Sequence, residues 1–327
     1  MSKQAKVLVV GAGPSGLAFA LAYARRGLPV RIIDKRPSRS SMQKATGVAQ
    51  AAWKQLAEYG ITKNIVGDAL PMAQFVFHDD DKVVARLKVP HVNGEPPAHL
   101  YPQSKLEDAM EKALASYGVT VEYGLSFLDV TQENDKTRVT VTQADEKECI
   151  DVDWLIAADG GHSAVRLHLN IPFVGRDYPE EWSVAELESD QWPPDIQAQL
   201  FLRSDGVGLF LSQPASGIVQ GILNAPGAAF ELARKFPGST LLYERQFKVS
   251  LRQVPSQRHG RVWLIGDAAH VQSPVGGQGL NLAIWDGMTL GHALADGQTD
   301  IDQTLHKRAR FVLRFTDFDY RMLSTKS

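Results

Sequence analysis

The sequence predicts an α/β chain in which a parallel-sheet domain of alternating strands and helices is interrupted by β-rich insertions. Two glycine-bearing segments and the pattern between them carry this prediction. Residues 6–34 read as strand, glycine turn, helix, strand and acid. Residues 264–287 (LIGDAAHVQSPVGGQGLNLAIWDG) read as a strand ending in Gly266-Asp267, a loop with Pro274, Gly276, Gly277 and Gly279, and a helix opening at Asn281. Between them, residues 73–89 and 198–223 have the alternation and composition of strands.

Each element has a local reason. KVLVV at 6–10 is a short, Val-rich apolar run, the mark of a buried parallel strand. Gly11-Ala12-Gly13-Pro14-Ser15-Gly16 follows, then the apolar residues 17–24. Pro14 suits a first helical turn, and Arg25-Arg26-Gly27 supplies a basic last turn with a stop. Residues 29–33 form the next strand and close in Asp34, near the spacing of about 20 at which an acid meets a ribose in dinucleotide folds. In such a unit Gly11 makes the tight turn and Gly13 admits a pyrophosphate. Gly16 lets helix and strand pack, and Asp34 accepts ribose hydroxyls. Further on, residues 47–60 read as a helix ending in glycine, and 104–117 as another stopped by Gly118. Strands are expected at 119–123, 138–142 and 150–157. Residues 155–166 (LIAADGGHSAVR) run from a strand through an Asp159-Gly160 turn into a helix start, with Arg166 seven positions after the aspartate. The division this implies is discontinuous. Residues 1–72, 100–175 and 258–300 form the nucleotide domain, 73–99 and 176–257 the inserted β-rich domain, and 301–327 a C-terminal helix.

Bulk properties exclude several classes. With 327 residues the chain can bury a large core. A hydrophobic fraction of 44% and a charged fraction of 22% are ordinary for a globular protein. A formal net charge of −2 gives no reason to expect nucleic acid as a partner. Cys149 is the only cysteine, which rules out an internal disulfide, and no histidine pair has zinc-ligand spacing, so no metal is expected. No apolar run approaches spanning length and the first residues are polar, which points to a cytoplasmic protein.

The order GAGPSG, DGGHSAVR, GDAAH…GGQGLN resembles that of the single-component FAD-dependent aromatic hydroxylases, the group that contains para-hydroxybenzoate hydroxylase. The resemblance implies a Rossmann-like FAD-binding domain with a β-sheet-rich substrate domain inserted, the isoalloxazine lying at their junction. It implies that Gly11, Gly13, Pro14, Ser15, Gly16 and Asp34 hold the adenosine and pyrophosphate half. Lys35, Arg36 and Arg39 form a basic run after Asp34 that reads as a contact with the adenosine half or as a solvated loop. Lys44 stands where relatives usually carry arginine, a point charge in place of a bidentate fork. Gln103 resembles the family glutamine near the ribityl and pyrophosphate groups. Asp267 would bind the ribityl chain, Pro274 and Gly277 would line the flavin, and the Gly279-Leu280-Asn281 backbone would meet its ring. Asp159 and Arg166 would shape the FAD and reduced-nicotinamide sites.

The activity so implied is NAD(P)H-dependent hydroxylation of an aromatic or polycyclic small molecule by O₂ through a flavin hydroperoxide. NADH and NADPH are not distinguished by the sequence. The chemistry is the cofactor's, so no protein nucleophile is required. His270 and Pro274 are the weak candidates for a catalytic part, and His270 reads more readily as a residue that packs the loop after Asp267. His78, His91 and His99, in or near the first insertion, could face the pocket, against a surface or structural role for each, and His162 beside Gly161 reads as a turn residue. Tyr178, Trp182, Trp192, Phe201 and Phe210 are candidates to line it, against a core role for each. Three alternatives stay open: a reductase of the same fold; a halogenase, weakened by the lack of a GWxWxIP element; and a non-catalytic FAD-binding accessory protein. Many relatives continue beyond the point that corresponds to Ser327 and cover the active site. That implies a pocket left open or closed by a partner or a second copy, or else a shortened chain.

Overall fold

In the computed structural model, residues 6–39, 45–133, 136–144, 146–193, 195–203, 208–215, 217–274 and 276–324 are described. The apolar run at the N-terminus becomes the strand Val7–Val10, buried at every position, at the centre of a six-stranded sheet. Its parallel neighbours run in the order Val262–Leu264, Trp154–Ala157, Val7–Val10, Val30–Asp34, Val121–Tyr123, with Arg258–His259 antiparallel at one edge. Burial on both faces explains why these strands read as continuous apolar runs.

The helix Pro14–Ala24 covers one face and is buried from Ser15 to Ala24, because it lies between the sheet and the helices Gln103–Ala115 and Gln278–Ala295. Two glycines of the last helix permit the crossing. A Cβ on Gly287 would sit 2.3 Å from Ser15 O, and one on Gly291 would sit 2.6 Å from Ala22 Cβ. The four-residue spacing of Gly287 and Gly291 puts both on one helix face.

A second, eight-stranded sheet draws on both expected insertions. Its order is His270–Val271, Thr240–Gln253, Val174–Glu188, Ile218–Leu223, Gly208–Ala215, Ala198–Leu202, Gln74–Asp79, Lys82–Lys88. All neighbours are antiparallel except Ala198–Leu202 with Gln74–Asp79. One face packs Val76, Leu187, Phe201, Leu209, Leu211 and Val219 with Leu232 of the helix Ala228–Lys235. The other face turns toward the carboxyl ends of the six-stranded sheet. Two small three-stranded sheets complete the β structure: Ser126–Glu133, Lys136–Gln143 and Glu146–Val152; and Gly47–Ala49, Ala98–Leu100 and Leu70–Pro71.

Several local expectations are corrected. Residues 47–60 are not one helix: Gly47–Ala49 pairs with Ala98–Leu100 and the helix starts at Gln50. The run 150–157 is two strands in different sheets, broken at Asp153, whose N–H donates to Lys6 O at 2.8 Å. The C-terminal helix Asp302–Ser324 is present and packs Ala309 and Val312 on Leu282. Among the described residues no helix is long and apolar enough to cross a membrane.

Candidate functional site

A cavity of about 1320 Å³ lies where the carboxyl ends of the parallel strands face the eight-stranded sheet. Pockets for one small ligand run to about 300–1,000 Å³, so this one has room for a dinucleotide and a second ring.

The first wall comes from residues 10–15. Gly11 holds φ +107°, and a Cβ there would meet Ala158 O at 2.3 Å, so glycine is required on both counts. Gly16 is pressed inward: its Cβ would fall 1.9 Å from Gly11 O. Gly13 differs, since a Cβ would meet nothing within 4 Å; its open side is the cavity. The helix that follows has Pro14 at its start and no side-chain cap, and its first backbone bond is Leu17 N–H to Gly13 O at 2.9 Å. The preceding N–H groups of a helix are left for a ligand, and the helix dipole favours an anion there.

Asp34 closes the second strand and is almost fully buried. Its Oδ2 accepts from Ala12 N at 2.8 Å and from Arg36 Nη2 at 2.8 Å, and its Oδ1 from Arg36 N and Nε, both at 2.9 Å. Burial alone would raise this carboxyl, but Arg36 and the Ala12 N–H hold it below the ordinary carboxylate range. Asp34 thus ties the glycine turn to Arg36, and both line the cavity with Lys35. Gln103 is buried beside them and donates from Nε2 to Glu107 Oε1 at 2.8 Å.

The second wall is the Asp267 turn and the helix after it. Asp267 is exposed toward the cavity, on a short 3₁₀ turn that begins at Gly266. The helix Gln278–Ala295 begins after Gly277 at φ +60°, again with no side-chain cap. The Asn281 side chain is spent within the protein: Oδ1 accepts from Ala49 N at 2.8 Å, and Nδ2 donates to Gly47 O at 3.1 Å and Gly277 O at 2.9 Å. It pins the small sheet to the helix start and leaves backbone at the cavity. Pro274, Gly277, Gly279 and Leu280 line the same wall.

His270 does not reach the cavity wall. It is buried with Asp286, Nε2 to Oδ2 at 2.7 Å, and Asp286 also accepts from Gly266 N at 3.0 Å. Burial would lower this histidine, but the Asp286 carboxylate outweighs it and holds it above the ordinary value. The pair braces the turn that carries Asp267. Arg166 braces from the other side, donating to Ala268 O at 2.9 Å and Gly161 O at 2.6 Å. Asp159 lines the cavity and accepts at Oδ2 from Ala164 N at 2.7 Å, capping the next helix. Its carboxyl is raised, chiefly by burial.

The third wall is the inner face of the eight-stranded sheet. Trp182 and Phe210 lie on it with Phe75, Leu200, Ile222 and Phe247. Trp192 and Phe201 belong to the opposite face, and Tyr178 packs near Val249 and donates its hydroxyl to Asp317. His162, which the sequence reads as a turn residue, lines the cavity. His78 is stacked on Phe201 and His99 on Trp53. His91 is exposed. Lys44 lies outside the described residues. Glu107, Phe247, Lys248 and Gln220 line the cavity without any sequence signal that would have marked them. Among the described residues no group of three or more His, Cys, Asp or Glu side chains could hold a metal ion.

Open space over Gly13, two uncapped helix starts and Asp267 on the shared wall fit a flavin dinucleotide. A family model described as "FAD binding domain" matches residues 4–222 and 234–311. The 6-methylpretetramide 4-monooxygenase of Streptomyces rimosus is 27% identical over 89% of this chain and 56% of its own length. The pentachlorophenol 4-monooxygenase of Sphingobium chlorophenolicum is 28% identical over 93% and 62%. The chain therefore spans rather more than half the length of these relatives. The fold is shared with the p-nitrophenol 4-monooxygenase of Pseudomonas putida, at TM-score 0.87 and 21% identity over 99% of this chain and 89% of that one. It is shared too with aklavinone-11 hydroxylase, whose crystal holds FAD and aklavinone, at TM-score 0.86 and 21% identity over 99% and 70%. With the matched model spanning most of the chain, and its glycine turns, Asp267 loop and inserted sheet meeting at one cavity, the protein belongs to the FAD binding domain family, in the fold of the FAD-dependent aromatic hydroxylases.

Proposed function

We propose that the chain is the FAD- and substrate-binding body of a monooxygenase that uses NADPH or NADH and O₂ to hydroxylate an aromatic or polycyclic small molecule. The observation that carries this reading is the continuity of one cavity between the dinucleotide wall and the aromatic face of the sheet. A protein that only stored FAD would have no use for the second half. Bound FAD, once reduced by the nicotinamide, supplies the oxygen-activating chemistry.

The chain's own residues bind, orient and exclude water. The Gly13 opening and the helix start at Pro14 receive the pyrophosphate, with Lys35 and Arg36 beside it. Asp267 takes the ribityl hydroxyls, and the backbone of 277–281 approaches the ring. Phe75, Phe210, Trp182 and Phe247 hold the substrate ring against that backbone and keep the space dry, which suppresses unproductive release of peroxide. The relatives named for 6-methylpretetramide and pentachlorophenol support this reading.

The test is anaerobic mixing of FAD-loaded protein with NADPH, then NADH, with and without a panel of phenolic and polycyclic aromatics. Flavin bleaching accelerated by a particular aromatic is the expected result. Absence of bleaching under every condition refutes the reading in favour of an accessory flavoprotein.

A further inference from the structure

Besides the charged Asp177, Lys248 and Arg252, which the eight-stranded sheet also presents to the cavity, one polar rank runs among its aromatic and aliphatic residues. Strand pairing sets Glu186 opposite Gln220, and Gln220 opposite Ser212, so these three share a face and a rank. The next rank on the same face holds Val184, Ile222 and Phe210, and two of these line the cavity. Gln220 lines it too, although almost none of its surface is reached by bulk water.

The polar rank is built as a holder and a reader. Gln220 Nε2 donates to Glu186 Oε1 at 2.8 Å, and both residues are buried. Among the described residues no cation pairs with Glu186, whose carboxyl is raised by burial. An amide that gives its nitrogen to a fixed acceptor has its orientation set, and its oxygen remains as an acceptor. Ser212 Oγ, in the adjoining position, is fully buried off the cavity wall and has no hydrogen-bond partner among the described residues. Of the three residues Gln220 lines the cavity, so its amide oxygen is the group that a ligand can reach, and a buried acceptor costs stability unless something pairs with it.

We propose that Gln220, held in register by Glu186, is the specificity-determining contact that recognises a hydroxyl on an otherwise apolar aromatic substrate. Glu186 acts through Gln220 and is a positioning residue. The inference rests on the aromatic-substrate reading above and names the residue that reads the ring hydroxyl, because the amide oxygen can accept from a phenol but not from its methyl ether.

The experiment uses FAD-loaded protein and matched probes: phenols of one to three fused rings and the methyl ether of each. Binding is followed by the change each probe causes in flavin absorbance, and turnover by nicotinamide oxidation. The wild type is expected to favour at least one phenol over its ether by about tenfold, the value of a hydrogen bond to a buried group. Gln220→Leu should bind both members of that pair alike. Glu186→Leu should erode the preference, and Glu186→Gln, which keeps an acceptor for the Gln220 amide, should restore most of it. A double variant with leucine at both positions guards against a folding defect, since removing both partners leaves no orphan. Retention of the phenol preference by Gln220→Leu or by the double variant overturns the proposal, as does a wild type that favours no phenol. Binding preference without hydroxylation would sink the monooxygenase reading and leave this contact standing.

Discussion

Replacing Gly13 by valine separates the fold of the glycine turn from its use. The backbone there is extended, φ −85° and ψ −175°, which any residue adopts, and a Cβ meets nothing within 4 Å. The folded protein should therefore accept the change within about 0.5 kcal/mol. The isopropyl group stands in the space the pyrophosphate needs and holds it off the start of the helix Pro14–Ala24. Pro14 has no N–H and Leu17 N–H is already bonded to Gly13 O, so the loss falls on the N–H groups of Ser15 and Gly16. Two charge-assisted bonds at about 1.5–3 kcal/mol each predict an FAD dissociation constant raised by about 10² to 10⁴. Gly13→Val should purify colourless, with the unfolding midpoint of the wild-type apoprotein. Gly16→Ala is the contrast: its Cβ falls 1.9 Å from Gly11 O, and the whole turn must move. The assay is the flavin-to-protein absorbance ratio after gel filtration, with thermal unfolding of both apoproteins. A yellow Gly13→Val protein refutes the placement of the pyrophosphate.

Asp267→Ala should fold as the wild type does, since the side chain is exposed, yet lose flavin on gel filtration; full retention would count against its ribityl role. Gly287→Leu drives side chain into Ser15 O and Ala18 Cβ and should cost upwards of about 1–3 kcal/mol, read from the denaturant midpoint. Asp286→Asn leaves His270 without its carboxylate and should destabilise by about 3–5 kcal/mol. The same pair sets a pH dependence. His270 is raised in the folded state, so its contribution is complete below about pH 6.5, the unfolded value, and declines as pH rises toward the folded value. Urea midpoints across pH 5–9 should show that decline in the wild type and lose it in Asp286→Asn; identical slopes would exclude His270 as its source.

The nucleotide half was legible because its constraints are local. Gly16 is fixed by Gly11 O, Gly13 by the ligand and Gly11 by its own φ, with Ala158 O as a second and distant constraint, and Asp34 sits one strand away. What sequence reasoning missed there depends on contacts distant along the chain. The run 150–157 looks like one strand because Ile150, Val152, Leu155 and Ala157 are all buried; only the bond from Asp153 N–H to Lys6 O marks the break. The close crossing of Gly287 and Gly291 was written in their spacing, but its partner is a helix some 270 residues earlier. His270 belongs to a motif, and motif membership carries no information about whether a side chain faces the cavity or the protein interior.

The substrate half was less legible for a different reason. A strand with one wet face announces its orientation by alternation, whereas the middle strands of the eight-stranded sheet are buried on both faces. Phe201 and Leu200 are neighbours of similar character, yet Leu200 reaches the cavity and Phe201 the core under the helix Ala228–Lys235. Nothing in either residue sets that parity; the pairing of Phe201 with Leu209 and of Leu200 with Phe210 does. The same register that sorts the aromatics brings Glu186 to Gln220, from strands that sequence alone does not join. Polar residues on such a doubly buried sheet are the informative ones, because an apolar residue would serve the core on either face. Substrate choice in this fold is therefore to be sought where register places a polar rank on the inner wall, and the dinucleotide motifs carry no trace of it.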